Sequence, residues 1–208
     1  MKYDVMIIGA GPGGIFTAYE LIRKAEEPLR IALFELGREL DQRKCPIDGD
    51  RIRACVGCKT CSVMSGFGGA GAFSDGKYNI TNDFGGTLYE HIGRDKALEL
   101  MKYVDEINMA YGGAGARIFS TSGTRFKTVC IQNKLKLLDA SVRHLGTDLN
   151  FVVLKNLYAH LCDRVDFLFD TPVTDVEVQD GYLVRTKDES FSCDRLIISV
   201  GRSGSQWM

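Results

Sequence analysis

Long apolar runs are missing from this sequence. No stretch of the 208 residues approaches the roughly 20 apolar residues that a membrane-spanning helix needs. The apolar run at Val5–Ile8 is too short for the core of a secretory signal peptide. An excess of one charge is missing too, since the formal net charge is −1. The chain therefore lacks the basic footprint of a partner for nucleic acid or for an anionic membrane, and we expect neither partner.

A disulfide framework is also lacking. The seven cysteines are odd in number and unevenly spaced, which argues against the paired pattern of a small secreted domain. Thiols or metal ligands fit a reducing compartment better, so we expect a soluble, cytoplasmic protein. No internal repeat or low-complexity segment is present. The hydrophobic content of 45% is sufficient for a globular core.

The most informative feature is a strand–turn–helix–strand pattern, a βαβ unit, over residues 3–35. An apolar strand runs into Gly9-Ala10-Gly11-Pro12-Gly13-Gly14. In the spacing G-x-G-x-x-G, Gly9 allows a sharp turn and Gly11 lets the backbone approach a pyrophosphate. The third glycine, Gly14, lets the helix and the strand pack closely. This pattern predicts a dinucleotide-binding turn.

The residues that follow the turn support this prediction. Ile15 and Ala18 lie on one face of a predicted helix, whose N-terminus would present N–H groups to phosphates. A second apolar run then ends at Glu35, close to the ~20 positions after Gly14 at which a carboxylate accepts hydrogen bonds from an adenosine ribose.

The rest of the chain falls into three stretches. Residues 36–90 are a Cys- and Gly-rich excursion with little periodicity. Residues 94–163 are a helical segment, and residues 165–204 are β-rich. The predicted helices cover 94–110, 131–145 and 150–163, and the predicted strands cover 165–169, 173–178, 182–186 and 195–200.

The last of these strands has a second glycine turn at its end. Residues 195–200 form a nearly continuous apolar run, as expected of a parallel strand that is buried on both faces. The run ends at Gly201-Arg202-Ser203-Gly204, which would lie at the carboxyl edge of the same sheet as the first turn, where open α/β sheets bind ligands. Asp180-Gly181 predicts a hairpin between the two preceding strands.

Together these residues resemble the two-dinucleotide-binding-domain flavoproteins. Ile197-Ile198-Ser199-Val200-Gly201-Arg202 is similar to the second FAD signature of that superfamily. The middle of the chain carries Cys45-Pro46, then Cys55-x2-Cys58-x2-Cys61, then the glycine-rich run 66–77. This order resembles the uncharacterised FAD-dependent dehydrogenases, also called NAD(FAD)-utilising dehydrogenases. The family has no established substrate, and its members are longer, so we expect a truncated FAD-binding domain over 1–208 with a C-terminal remainder absent.

The resemblance implies a set of cofactor-binding residues. It places FAD at the first turn and at Glu35, with Arg38 as a cation near the adenosine half. The loop at 68–71 would run along the pyrophosphate and the flavin, and a strand backbone at Val173 would meet adenine. The implied cofactor-binding set is Gly9, Gly11, Pro12, Gly13, Gly14, Glu35, Arg38, Gly68, Gly69, Ala70, Gly71, Val173, Gly201 and Arg202.

The glycine-rich loop also has a meaning of its own. Small residues let main-chain N–H groups approach an anion or a ring edge closely. Phe67 and Phe73 flank the glycines and could anchor them. The alternative is a flexible glycine linker.

Four cysteines form a candidate metal site. Cys55, Cys58 and Cys61 have C-x2-C-x2-C spacing, and Cys45 beside Pro46 could be a fourth ligand. This spacing suits a [4Fe–4S] cluster, although the remote Cys-Pro precedes the run instead of following it. Zinc, a redox-active thiol pair and unligated cysteines remain open.

These observations predict an α/β fold: a Rossmann-like FAD-binding domain with a central parallel sheet and a small β-rich meander. The predicted function is a cytoplasmic FAD-dependent oxidoreductase that acts on a small-molecule substrate or redox partner, with NAD(P)H as a possible electron donor. One alternative is the NAD-binding domain of a dehydrogenase. Another is a flavin- or cluster-bearing redox sensor or electron carrier.

Overall fold

The computed structural model describes residues 2–204 of the chain. It divides into two compact units, residues 1–73 with 157–208 and residues 74–156. The strands are β1 Lys2–Ile8, β2 Ile31–Phe34, β3 Lys77–Ile80, β4 Ile118–Ser120, β5 Ser141–His144, β6 Val165–Leu168, β7 Val173–Gln179, β8 Gly181–Thr186 and β9 Ser190–Ile198. The α-helices are α1 Pro12–Lys24, α2 Leu88–Ile92, α3 Arg94–Asn108, α4 Phe126–Gln132 and α5 Gly146–Leu161.

A six-stranded sheet in the order β6-β2-β1-β9-β8-β7 forms the first unit. The four strands β6, β2, β1 and β9 are parallel, with Ile7 of β1 opposite Leu33 on one side and Ile197 on the other. β8 and β7 continue the sheet as an antiparallel hairpin. The predicted α/β class, the central parallel sheet and the β-rich meander are therefore confirmed.

The central strands are buried because they are apolar on both faces. Met6, Ile7 and Leu33 are each 0% exposed. On one face a core cluster of these strands and the hairpin includes Phe34 and Phe191, whose rings meet edge-on at 5.1 Å between centroids. Full burial of such side chains is the main source of stability in the unit.

Helix α1 begins as its sequence predicts. Gly11 is the N-cap and Pro12 occupies the first helical position, where a missing N–H is no loss. Ile15 and Ala18 are buried, as the predicted helical face requires, and Lys24 in the last turn suits the negative end of the helix dipole. The βαβ prediction for residues 3–35 is confirmed.

Two predictions of secondary structure are wrong. Residues 131–145 are not a helix: α4 ends at Gln132, Lys134 has a φ of +58°, and β5 follows. β5 pairs with both β3 and β4 in a three-stranded antiparallel sheet of the second unit. Long-range pairing has overridden the local helical pattern.

Strand β9 is not buried on both faces, since Ile198 is 43% exposed. The reason lies in the pairing of the strand. Its first residues pair with β8, but in the described part of the chain the residues from Arg195 to Ile198 have β1 as their only strand partner. The strand also begins five residues earlier than predicted, at Ser190.

The helix predicted over 94–110 is confirmed as α3, and the one over 150–163 as α5, which begins already at Gly146. In the second unit, Arg143 of β5 forms a bidentate ion pair with Asp105 of α3 at 2.6 and 2.7 Å. Within residues 2–204 no helix is long and apolar enough to cross a membrane. The assignment of 1–208 to a single domain stays a prediction.

Candidate functional site

The first glycine turn, residues 9–14, is fixed by close packing at two of its glycines. Gly9 has a φ of +105°, and a methyl group there would lie 2.4 Å from the carbonyl oxygen of Ser199. A methyl group at Gly14 would lie 1.9 Å from the carbonyl oxygen of Gly9. Neither position can hold a larger residue unless the backbone shifts. This is the geometry that the first and third positions of the motif predict.

The middle glycine of the turn is different. No heavy atom of the described chain, apart from neighbours in sequence and in the helix, lies within 4 Å of where a side chain on Gly11 would begin. Gly11 has ordinary extended dihedrals, with φ −75° and ψ −178°. Its small size is therefore needed neither for packing nor for conformation. Open space at this one position is what the approach of a pyrophosphate to the backbone requires.

The glycine loop, residues 66–71, lies directly against this turn. The N–H of Gly68 donates to the carbonyl of Ala10 at 2.8 Å. A methyl group at Gly69 would lie 3.1 Å from the Cα of Gly11. Gly71, like Gly11, has open space in front of it in the described chain. The structure thus brings together two glycine segments that are more than 50 residues apart in sequence.

Glu35 ties three segments together. Its carboxylate is buried, with 7% of the residue exposed. One oxygen, Oε2, accepts from the N–H of Ala10 at 2.7 Å. The other, Oε1, accepts from Gly37 at 2.9 Å and from Gly66 at 2.8 Å. The predicted ribose acceptor thus bonds to the first glycine turn, to its own turn and to the glycine loop, and its hydrogen bond to a ribose stays a prediction.

Arg43 binds backbone carbonyls of the glycine loop and of the residues before it. The sequence does not predict this role. Its guanidinium donates to the carbonyls of Ser62 at 2.9 Å, Val63 at 2.9 Å and Phe67 at 2.6 Å. The residue is only 4% exposed. Burial lowers the pKa of Arg43, and the nearby charge of Glu35 acts in the opposite direction. No spacing rule marks a single arginine in a polar stretch, so no sequence signal could have identified it.

Phe67 anchors the loop, as predicted. It is 0% exposed, and its ring packs edge-on against Tyr158 at 5.1 Å and Phe167 at 5.7 Å. The loop is therefore a fixed element and not a flexible linker. Phe73 is 38% exposed and lies 4.8 Å beneath the guanidinium of Arg43.

The second predicted signature lies beside the first turn through Ser199. The N–H of Ser199 donates to the carbonyl of Ile8 at 2.8 Å. A methyl group at Gly13 would lie 2.4 Å from the hydroxyl oxygen of Ser199. Gly201 follows with a φ of +66°, and both it and Arg202 are exposed. The end of β9 and the β1–α1 turn thus form one edge of the sheet.

The backbone of Arg38 lies against the glycine loop, since its carbonyl accepts from the N–H of Phe67 at 3.0 Å, whereas Val173 lies in an edge strand of the sheet. The exposed Arg38 makes a loose ion pair with Asp170 at 3.7 Å. Val173 begins the edge strand β7, pairs with Thr186 and packs against the core cluster. Their roles toward an adenosine group stay predictions.

The candidate metal site is not assembled. All four of its cysteines are exposed, with free thiols, and they lie in a stretch without strands or α-helices. Within residues 2–204, no three His, Cys, Asp or Glu side chains are grouped so that they could hold a metal ion. The predicted convergence of sulfurs is therefore not found among the described residues, and the cysteine segment, residues 45–61, has no strand or α-helix that would direct its thiols to a common centre. The set concerned is Cys45, Cys55, Cys58 and Cys61.

Comparisons with known proteins identify the fold. The chain matches no protein-family model. An uncharacterized protein from Clostridium beijerinckii is 24% identical over 205 residues, which are 98% of this chain and 32% of that protein. Glycine oxidase from Geobacillus kaustophilus is similar in structure, with a TM-score of 0.53 at 17% identity over 96% of this chain and 55% of that one.

The dithionite-reduced L-alpha-glycerophosphate oxidase from Mycoplasma pneumoniae, solved with FAD bound, is also similar in structure. Its TM-score is 0.52 at 16% identity, over all of this chain and 56% of that one. The chain spans about half the length of these oxidases. It therefore has the Rossmann-like fold found in FAD-dependent oxidoreductases.

Proposed function

We propose that this chain binds FAD and is part of a cytoplasmic FAD-dependent oxidoreductase. The observation that carries the proposal is the contrast among three glycines. Gly9 and Gly14 are closed in by packing, whereas Gly11 faces open space beside the glycine loop. A merely structural turn has no need of a glycine at the open position, since any residue would fit there.

The residues present fit the cofactor. Gly11 and the N-terminus of α1 would hold the pyrophosphate, since backbone N–H groups and the helix dipole favour an anion there. The open side of the glycine loop, at Gly71, would border the flavin half. FAD, when bound, supplies hydride and electron transfer, and the chain contributes binding, orientation and local charge.

The finer assignment rests on sequence resemblance. The motifs around Cys45, Cys55–Cys61 and Gly66 resemble the NAD(FAD)-utilising dehydrogenases. We infer from this resemblance that a small molecule or a redox partner exchanges electrons with the flavin. The similar structures support FAD, and they add no support for NAD(P)H or for a [4Fe–4S] cluster.

Replacement of the open glycine tests the proposal. Gly11→Val adds a side chain where a pyrophosphate would lie, in a position where the chain itself has room. We expect the variant to fold with a stability loss of at most about 1 kcal/mol, the size of an N-cap effect. We expect its FAD affinity to fall by more than tenfold, measured from the quenching of flavin fluorescence during titration.

Glu26→Val is the matched control, because it adds the same side chain at an exposed position beyond the other end of α1, and its FAD affinity should equal that of the wild type. Equal FAD affinity in the wild type and in Gly11→Val would refute the assignment of this turn. Binding of NAD⁺ in place of FAD by the wild type would favour the NAD-binding domain instead.

A further inference from the structure

Glu35 is placed unusually for a residue that is expected to bind a ribose. Its two carboxylate oxygens accept three backbone N–H groups, from Ala10, Gly37 and Gly66, at 2.7–2.9 Å. These donors belong to three different segments of the chain. A carboxylate that accepts several backbone N–H bonds stabilises the arrangement of those segments strongly, because charge-assisted hydrogen bonds are about twice as strong as neutral ones.

Arg43 complements Glu35, because it binds carbonyls of the loop and of the residues before it, whereas Glu35 binds an N–H group. Glu35 binds an N–H of residue 66, and Arg43 binds the carbonyls of residues 62, 63 and 67. Both side chains are more than nine-tenths buried. A methyl group at Gly66 would lie 2.5 Å from Cδ of Arg43, so the loop fits closely against the arginine. These hydrogen bonds thus pair one backbone N–H and three backbone carbonyls of residues 62–67.

We propose that Glu35 and Arg43 are positioning residues that hold the glycine loop against the first glycine turn. On this proposal, which rests on the proposed FAD function, Glu35 contributes to cofactor binding through the loop, in addition to any hydrogen bond that its Oε2 accepts from the ribose. The site is then formed before the cofactor arrives, and binding does not have to order the loop.

Glu35→Gln separates the two roles. The amide keeps the size of the side chain but has one acceptor oxygen, so at least one buried N–H loses its partner. A buried donor without a partner is costly, so amides of peptide 61–73 should exchange with solvent about 5- to 150-fold faster in the cofactor-free chain. Hydrogen exchange of the β7–β8 hairpin, residues 173–186, should not change, which distinguishes local release of the loop from general unfolding.

A ligand comparison tests the role at the ribose. The wild type and Glu35→Gln are titrated with ADP and with 2′,3′-dideoxyadenosine diphosphate, which lacks both ribose hydroxyls. We expect Glu35→Gln to weaken both ligands, because a displaced loop affects binding whether or not the ribose carries hydroxyls. Unchanged affinity for the dideoxy ligand in Glu35→Gln overturns the proposal, whatever the exchange experiment shows. Unchanged exchange of peptide 61–73 also overturns it.

Arg43→Lys provides a second variant in case Glu35→Gln does not fold. The ammonium keeps the charge but cannot reach three carbonyls in the geometry of a guanidinium. The same local increase in exchange is expected, and Arg164→Lys, the same substitution at an exposed position, is the control. If the wild type binds neither ADP nor FAD, the proposed function fails, while hydrogen exchange still decides whether Glu35 and Arg43 hold the loop.

Discussion

The first glycine turn and the cysteine segment both have the residue spacing of a binding motif, yet only one of them is held in place by the fold. The turn has a buried strand before it, a helix after it and backbone from two distant segments against it. The cysteine segment has exposed thiols and no strand or α-helix. A spacing motif defines a geometry only where neighbouring elements fix its backbone.

The change from exposed to buried side chains between the cysteine segment and the glycine loop takes place within a few residues. Cys61 is exposed, whereas Phe67 is 0% exposed. Between them, the guanidinium of Arg43 donates hydrogen bonds to the carbonyls of Ser62 and Val63. The comparison can therefore be tested by perturbing each region in turn.

The largest effect is expected at Phe67. Phe67→Ala removes the ring that packs against Tyr158 and Phe167, and truncation of a buried Phe destabilises a protein by about 3–5 kcal/mol. Urea denaturation of the cofactor-free chain measures this loss. Val56→Ala in the cysteine segment is the control, since Val56 is 56% exposed and should change stability by less than about 0.5 kcal/mol. Similar losses in the two variants would remove the contrast between the regions.

A smaller loss is expected at Gly14. Gly14→Ala forces a methyl group to within 1.9 Å of the carbonyl oxygen of Gly9, and overpacking of this kind costs about 1–3 kcal/mol. Gly71→Ala should be close to neutral, because open space lies there. The midpoints of thermal unfolding of the two variants give the comparison. A neutral Gly14→Ala would mean that the turn is less tightly packed than the structure shows.

The parts of this fold that were predictable are those in which local signals agree with the tertiary structure. In residues 3–35 the apolar strands, Pro12 at the helix start and the glycine spacing all indicate the same βαβ unit, and they were interpreted correctly. The Asp180-Gly181 hairpin is another such case, since Gly181 has the φ of +96° that a tight turn requires. These segments could be predicted from the sequence because their local signals and their tertiary structure agree.

The parts that failed depend on partners far away in sequence. β5 is four residues long and exists through its pairing with β3 and β4, so no local window could reveal it. The buried guanidinium of Arg43 has its hydrogen-bond acceptors in a segment about 20 residues later in the chain. Glu35 was found by its spacing, but its three backbone partners follow only from the fold.

The smallest effect is expected in the cysteine segment itself. Replacement of Cys45, Cys55, Cys58 and Cys61 by serine should change the free energy of unfolding by no more than about 0.5 kcal/mol per site, because substitutions at exposed positions are close to neutral. Cys193→Ser is the matched control. Cys193 is 2% exposed, and burial of a hydroxyl in place of the less polar thiol costs about 1–3 kcal/mol. If the fourfold variant instead lost more than about 3 kcal/mol, above the sum of four near-neutral changes and above the loss in Cys193→Ser, these thiols would be joined by a metal or by disulfides in solution, and the contrast between the two regions would not hold.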